Sequence, residues 1–185
     1  MKKSRQPGMM GSAQPYQGGA ELNGGKTMAV LEIRKKGDEC LQKKCHEVTV
    51  FDRRLKLLLR DMKDTLLDAN GVGLAAPQVG ILRRIFLVND GEKVKAYINP
   101  QILERRGEQH PVEGCLSVPN VWGRVVRPAY VKIAAQDETG HPFQEEAEGL
   151  IAEAFEHEAD HLDGILFDEK IYEYVDVEED HTYDE

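Results

Sequence analysis

The chain has 185 residues, enough for one domain with a substantial core. Hydrophobic residues make up 41% of the chain and charged residues 31%, which predicts a soluble globular protein, and no apolar run is long enough to cross a membrane. The formal net charge of −9 comes largely from residues 168–185, which hold nine acidic residues and one basic residue. An acidic chain of this kind lacks the basic face of a nucleic-acid-binding domain, so no direct nucleic-acid contact is predicted.

Residues 1–27 contain six glycines together with Ser, Gln and Pro, and almost no aliphatic residues. Such a segment cannot bury enough apolar surface to offset its ordering entropy, so we predict a disordered N-terminal extension or tag. It shows no apolar secretory signal and no amphipathic Arg-rich helix, so targeting to an organelle is not favoured. Three cysteines, an odd number, favour a reducing compartment, and a cytoplasmic location is expected.

The folded part is expected to begin near Met28. Asp38 is a candidate N-cap for a short helix that contains Leu41. Over residues 52–69 apolar residues recur every three or four positions, which predicts an amphipathic helix. Asn70-Gly71 is typical of a helix C-terminus and is predicted to end it.

The middle of the chain is predicted to form strands. A buried strand over 85–88 is followed by the hairpin turn Asn89-Asp90-Gly91 and a return strand over 94–98 that ends at Asn99-Pro100. Further strands are predicted around 102–103, 112–118 and 125–133, and a second hairpin turn at 137–140. Helical spacing resumes near Glu148 and ends at Gly164. This order predicts an α+β fold, with mostly antiparallel sheets packed around a C-terminal helix and an N-terminal helix.

The predicted C-terminal helix carries the pattern His-Glu-x-x-His at His157, Glu158 and His161. Residues four apart lie on one face of an α-helix, so both imidazoles can reach one metal ion, with Glu158 suited to act as general base. A catalytic metal of this kind needs a third protein ligand and keeps a fourth position for water. The alternative is a helix that bears two surface histidines.

Cys115 is the candidate third ligand. It lies in a β-like segment beside Gly114, where glycine allows the close approach of a metal or an extended ligand. A thiolate binds a divalent metal well once the metal lowers its pKa. A buried structural cysteine is the alternative reading of Cys115. Cys40 and Cys45 have no paired histidines at ligand spacing and are predicted to be ordinary thiols.

Three segments together resemble the motifs of the peptide deformylase family and occur in the family's order: Gly71-Val72-Gly73-Leu74-Ala75-Ala76-Pro77-Gln78, Glu113-Gly114-Cys115-Leu116-Ser117 and His157-Glu158-Ala159-Asp160-His161. The resemblance covers about residues 28–168. It implies a catalytic domain over 28–170, followed by an acidic C-terminal tail over 171–185. It also implies a bacterial-type enzyme that removes the formyl group from the N-terminal formyl-methionine of nascent proteins and releases formate.

The resemblance implies roles for individual residues. Cys115, His157 and His161 would hold one divalent metal, in the family usually Fe²⁺, with Zn²⁺, Ni²⁺ or Co²⁺ as alternatives that a mixed S/N site accepts. The metal would activate a water, Glu158 would take its proton as general base and return it to the leaving amine, and hydroxide would attack the formyl carbon. The backbone N–H of Leu116 and the amide of Gln78 would stabilise the oxyanion.

Substrate contacts follow from the same resemblance. The backbone of Gly73 would hold the substrate chain, and an extended peptide could pair with the strand through Cys115. An apolar pocket for methionine would be lined by Val72, Leu150 and Ala154, and Glu113 and Gly114 would lie along the substrate strand. Val72 and Leu150 could equally be core residues.

The chain departs from the family's pattern in several places. Glu153 stands where Arg is common and Glu156 where Gln or Cys is common, which predicts crowded negative charge on the helix and raised pKa values. Asn120 replaces a common Gly, and Trp122 is either a pocket wall or a surface anchor. The acidic tail does not match the basic C-terminal helix that docks some members on the ribosome, so only a transient ribosome contact is considered.

Two other functions fit parts of the sequence. A zinc endopeptidase would use His-Glu-x-x-His, but its third ligand would lie on the C-terminal side and leave the segment around Cys115 unexplained. A non-catalytic metal-stabilised binding protein would show a damaged base or a closed fourth ligand position, whereas Glu158 is intact.

Overall fold

The computed structural model describes residues 29–176. Its elements in chain order are a 3₁₀ helix Glu39–Gln42, α1 (Arg53–Asp68), β1 (Gly73–Ala75), a 3₁₀ helix Ala76–Val79, β2 (Ile85–Asn89), β3 (Val94–Arg106), β4 (Val112–Cys115), β5 (Val118–Arg124), β6 (Tyr130–Gln136), β7 (Pro142–Glu148), α2 (Gly149–Leu162), a 3₁₀ helix Phe167–Glu169 and β8 (Glu173–Tyr174). The predicted N-terminal extension and residues 177–185 of the predicted tail lie outside the described residues. No helix within 29–176 has the length and apolar character needed to cross a bilayer.

The strands form two antiparallel sheets. Five strands follow one another in the order β1-β2-β3-β6-β7, and three in the order β4-β5-β8. Helix α2 packs against the five-stranded sheet, which confirms the predicted α+β fold with a C-terminal helix. Strand β1 is an edge of the larger sheet and β4 is an edge of the smaller one. These two edges border the cleft described below.

Both predicted N-terminal helices form, the first with the predicted cap Asp38 and the second with a cap, Asp52, that was not predicted. The Asp52 carboxylate accepts hydrogen bonds from the backbone N–H groups of Arg54 and Leu55, at 2.9 and 3.0 Å, which satisfies two donors that the first turn of α1 leaves free. Asp38 caps Glu39–Gln42 in the same way through the N–H of Cys40. The apolar stripe of α1 is buried against the face of β1 and β2; its members are Leu55, Leu58, Leu59, Met62 and Leu66.

The predicted end of a strand at Asn99-Pro100 is wrong, because β3 continues through it to Arg106. Asn99 adopts φ +51°, and the register with β6 shifts between Ile98 and Gln101, so a bulge accommodates the missing N–H of Pro100. The Asn99 amide donates to the carbonyl of Val48 and accepts from its N–H, both at 2.8 Å. These long-range bonds hold the bulge in place.

The predicted strand over 125–133 is wrong in its first part, because β6 begins only at Tyr130. Residues 125–129 are a connection between the two sheets. Within it Arg127 exchanges backbone hydrogen bonds with Gln109 at 2.8 and 3.0 Å. The connection thereby fixes the position from which the Arg127 side chain enters the interior.

One face of α2 anchors it to the larger sheet. Phe155 is fully buried, and its ring centroid lies 4.9 Å from that of Tyr97 and 6.2 Å from that of Phe86. Full burial of such a side chain contributes roughly 1.5–3 kcal/mol to the free energy of unfolding. With this face held by the core, the opposite face of α2 is directed at the smaller sheet.

The C-terminal end of the described chain also belongs to the smaller sheet. Glu173 and Tyr174 pair with Arg124 and Gly123 of β5. The division into an extension, a catalytic domain over 28–170 and an acidic tail stays a prediction.

Candidate active site

The side chains of Cys115, His157 and His161 meet between α2 and the end of β4. One potential ligand atom from each lies within 4.8 Å of the others, and the Sγ of Cys115 is 3.3 Å from the Nε2 of His161. A tetrahedral ion bound at about 2.3 Å from sulfur and about 2.1 Å from nitrogen keeps its ligand atoms roughly 3.3–3.7 Å apart. The group therefore has the composition of a metal site with one sulfur and two nitrogen donors, and its Cys115–His161 distance lies in this range.

Two N–H donors lie close to the sulfur of Cys115. The backbone N–H of Ser117 donates to its Sγ at 3.4 Å, and the Nε2 of Gln78 lies 3.7 Å from the same atom. Burial raises the pKa of Cys40 to about 11 and that of Cys45 to about 12. Those two thiols stay protonated at neutral pH, as the sequence predicted for ordinary thiols.

His157 is oriented from behind by Glu113. The Nδ1 of His157 lies 2.9 Å from the Oε2 of Glu113, which leaves Nε2 free to face Cys115 and His161. Burial alone would raise the pKa of Glu113, but hydrogen bonds with Arg127 and His157 hold it at about 2. An ionised carboxylate behind a ligating imidazole fixes its orientation and raises its basicity. For His161, burial and the neighbouring His157 lower the pKa, which keeps the imidazole in the neutral form that binds metals.

Arg127 was missed in the sequence. Its guanidinium is almost fully buried, donates to both oxygens of Glu113 at 2.7 and 2.9 Å, and reaches Asp160 on α2 at 2.6 Å. Asp160 also accepts from the Nζ of Lys170. One feature of the sequence could have revealed the role of Arg127: it is a single charged residue between the apolar Val125-Val126 and Pro128. A charge in such a setting is a candidate for burial, and a buried charge needs partners. Sequence reasoning assigned Glu113 to the substrate strand, whereas its buried side chain is occupied by Arg127 and His157.

Glu158 lies at the base of the cleft beside Gly73. A Cβ on Gly73 would come 2.2 Å from the Oε1 of Glu158, so only glycine leaves room for this carboxylate. Its Oε2 is buried and has no hydrogen-bond partner within the described residues. Burial, assisted by Glu113 and opposed by His157, raises the pKa of Glu158 to about 7. A carboxyl with this pKa can both take and return a proton near neutral pH.

Two candidate oxyanion donors border the same space. The Oε1 of Gln78 accepts from the N–H of Ala75 at 2.8 Å, which directs its amide N–H₂ towards Ser117 and Cys115. Leu116 follows Cys115 in the turn between β4 and β5. Lys35, another residue that sequence reasoning missed, donates from Nζ to the Leu116 carbonyl at 2.6 Å and holds this turn in place.

A cleft of about 550 Å³ opens over these groups. The three residues predicted for the methionine pocket line the cleft: Leu150 is 56% exposed and Val72 37%, whereas Ala154 is buried at 7%. Val72 and Leu150 are therefore not core residues. On the other wall the Trp122 ring covers Gly114, where a Cβ would come 2.6 Å from the ring. Trp122 is thus part of the cleft wall while remaining 44% exposed.

The two acidic residues of α2 that depart from the family's pattern, Glu153 and Glu156, lie in different surroundings. Glu156 pairs with Arg105 at 2.8 Å, so it does not crowd the site. Glu153 lines the cleft, and burial, with a contribution from Glu113, raises its pKa to about 7. The predicted rise in pKa thus occurs at Glu153 and Glu158, with burial rather than repulsion as its first cause. Asn120 has φ +62°, a conformation that asparagine tolerates nearly as well as the glycine common in the family.

Comparison with known proteins adds independent information. A family model described as polypeptide deformylase matches residues 30–175. The chain is 54% identical over 152 residues to a peptide deformylase of Caldicellulosiruptor bescii, covering 82% of this chain and 92% of that protein. It is 50% identical over 154 residues to peptide deformylase 1 of Bacillus subtilis, covering 82% and 96%.

Solved structures give the same result. A peptide deformylase from Legionella pneumophila superposes with a TM-score of 0.75 at 42% identity, covering 77% of this chain and 86% of that chain. One from Synechococcus elongatus, in complex with actinonin, has a TM-score of 0.75 at 33% identity and covers 84% and 87%.

Proposed function

The chain belongs to the peptide deformylase family, and on this premise we propose that it hydrolyses the formyl group from the N-terminal formyl-methionine of nascent proteins. The observation that carries the proposal is the convergence of Cys115, His157 and His161 beside the buried carboxylate of Glu158. Formate and a free amino terminus are the products. The reaction is an amide hydrolysis that needs a base, an acid and a stabilised oxyanion.

We propose that one divalent ion, Fe²⁺ before Zn²⁺, Ni²⁺ or Co²⁺, binds at these three side chains. Their S, N, N donor set suits several transition metals, and the Nδ1 of His157 is already occupied by Glu113. A bound ion would lower the pKa of a water and polarise the formyl carbonyl. Anaerobic purification followed by metal analysis, and comparison of turnover after loading with each ion, tests the choice of metal.

Glu158 is the proposed general base and acid. Its carboxylate is buried beside the ligands, and one oxygen has no partner within residues 29–176. That oxygen accepts the proton of the attacking water and then delivers it to the departing amine nitrogen. Gly73 keeps the space for this carboxylate and, through its backbone, holds the substrate chain.

Gln78 and Leu116 are the proposed oxyanion donors. The Gln78 amide is fixed by its bond to Ala75, and the Leu116 turn by its bond to Lys35. Donors that are held in place before the reaction need no reorganisation when charge develops on the formyl oxygen.

The substrate lies, in this proposal, between the two sheet edges β1 and β4. Edge strands have unpaired backbone groups that an extended peptide can bind, here next to Gly73 and Gly114. The methionine side chain enters the apolar pocket of Val72, Leu150 and Ala154. Nascent peptides are the proposed partners, with at most a transient ribosome contact, and the cytoplasm is the proposed location.

The test is release of formate from a formyl-Met-Ala-Ala peptide by anaerobically iron-loaded protein. Glu158→Gln should reduce kcat at least about 10²-fold while the metal content stays unchanged. Glu156→Gln, on the same helix but outside the cleft, is the matched control. Cleavage of internal peptide bonds would instead support an endopeptidase, and metal binding without any turnover would support a binding protein.

A further inference from the structure

Glu153 is an acidic side chain of the cleft wall that no step of the proposed reaction uses. It lies on α2 one turn before His157 and is half-buried next to the proposed methionine pocket. Within residues 29–176 it forms neither a hydrogen bond nor an ion pair. Glu113, in the same wall, is neutralised by Arg127. Glu153 is therefore a carboxylate that the fold places in the cleft without a direct ion pair among the described residues.

A second feature of the cleft also favours positive charge. Trp122 lies over Gly114 of β4, lines the cleft and is 44% exposed. The face of an indole ring attracts ammonium and guanidinium groups. Lys35 is the one lysine or arginine among the described lining residues, and its Nζ is bonded to the Leu116 carbonyl. Among residues 29–176 no lysine or arginine of the cleft forms an ion pair with Glu153, and His157 and Arg127 attract it only without direct contact.

We propose that Glu153 is a specificity-determining residue and that, together with Trp122, it selects formyl-methionyl peptides with lysine or arginine as the second or third residue. In an extended peptide successive side chains point to opposite sides and lie about 3.4 Å apart along the chain. With methionine in its pocket beside Glu153, the next two side chains pass the mouth of the cleft. The inference rests on the proposed function and names a substrate class within it.

The kinetic test compares formyl-Met-Lys-Ala and formyl-Met-Ala-Lys with the same peptides carrying glutamate or the neutral norleucine. At pH 8 and low salt, kcat/KM should be about threefold to tenfold higher for lysine than for glutamate at one or both positions. The preference should fall towards one in Glu153→Gln and reverse in Glu153→Lys. Added salt should weaken it in the parent protein, because it is an attraction between partly exposed charges.

The matched control is Glu138→Gln, an equal change in net charge in the exposed β6–β7 turn. It should leave the lysine preference unchanged. A readout that does not depend on turnover comes from Trp122, the single tryptophan of the chain. Its fluorescence should report tighter binding of N-acetyl-Met-Lys-Ala than of N-acetyl-Met-Glu-Ala to the parent protein, with the difference lost in Glu153→Gln.

Two results would overturn the inference while leaving the proposed function intact. One is equal kcat/KM for the lysine and glutamate peptides in the parent protein. The other is a lysine preference that Glu153→Gln leaves unchanged. Failure to release formate from any formyl peptide would instead reject the proposed function itself.

Discussion

At the scale of single residues, two close approaches decide what the cleft can contain. The Glu158 carboxylate occupies the volume that a side chain on Gly73 would need, and the Trp122 ring occupies the volume that a side chain on Gly114 would need. Both glycines are required because a side chain would occupy the volume of a functional group, not because of an unusual backbone conformation. The consequence for Gly73 can be measured directly.

Gly73→Ala should reduce kcat/KM by about 10²-fold or more, because the new methyl group displaces the proposed base from its position. Metal content should stay unchanged, since neither histidine is touched. Gly71→Ala is the control, because its Cβ would meet the ends of the Leu66 and Leu116 side chains and would lie at an ordinary contact distance, 3.4 Å, from the Gly73 carbonyl oxygen. Equal loss of activity in both variants would contradict the assignment of this space to Glu158.

Glu153 has a consequence for stability as well as for specificity. Its pKa is about 7 in the folded metal-free protein, against 4.5 for the ordinary side chain. The folded state therefore binds the proton more tightly, so its contribution to stability is present below pH 4.5 and is lost as the pH rises to 7. At pH 8 the ionised, half-buried carboxylate destabilises the fold.

Glu153→Gln should accordingly raise the free energy of unfolding of the chelated protein by about 1–3 kcal/mol at pH 8, and by close to nothing below pH 4.5. Urea unfolding at several pH values measures the difference. Glu138→Gln, in an exposed turn, should show no such pH dependence. A stabilisation by Glu153→Gln that is the same at pH 4 and pH 8 would refute the argument.

At the scale of elements, the side chain of Arg127 connects β4 with α2. It reaches Glu113 on β4 and Asp160 on α2 from the connection between β5 and β6. Removing one partner from a buried ion pair leaves an uncompensated charge, which costs more than the pair itself contributes. Arg127 is a positioning residue, since it acts on His157 only through Glu113.

Arg127→Leu should lower the free energy of unfolding by roughly 3–5 kcal/mol and weaken metal binding. Arg127→Lys keeps the charge but not the bidentate contact with Glu113. It should therefore retain only part of the stability and part of the metal affinity of the parent protein. Urea unfolding and a metal-affinity titration give the two quantities. Arg124→Gln changes a partly exposed arginine of β5 that pairs with Glu173, so it should lower the free energy of unfolding by less than about 1 kcal/mol. A loss as large as that of Arg127→Leu would contradict the assignment of Arg127 as a positioning residue.

At the scale of the whole molecule, the proposed metal site lies where the smaller sheet meets α2 and the larger sheet. Cys115 comes from β4, whereas His157 and His161 come from α2. A ligand that binds only the folded state stabilises it in proportion to its affinity and concentration. The ion would therefore tie the two sheets together in addition to its chemistry.

Chelation should lower the Tm of the loaded protein, and adding back Fe²⁺ or Zn²⁺ should restore it in a concentration-dependent way. Calorimetry with and without chelator measures the shift. Cys115→Ser, which replaces the sulfur donor, should show a much smaller shift. A Tm that does not respond to chelator in the parent protein would contradict a metal that bridges the sheets.

The sequence alone determined the features that depend on a few neighbouring residues. The spacing of His157 and His161 sets both rings on one face of α2, and the caps at Asp38 and Asp52 act within three residues. Helix periodicity, hairpin turns and caps are short-range effects, so they were predictable without the fold. Family resemblance then supplied the pairing of Cys115 with the histidines.

Only the tertiary structure decided the contacts between distant segments. Arg127 and Glu113, the bond from Lys35 to Leu116, and the different fates of Glu153 and Glu156 all depend on which face of an element meets another. The bulge at Asn99 did too, because its amide is held by Val48 some fifty residues earlier. Such contacts are set by how the two sheets pack around α2, and no local pattern in the chain records that packing.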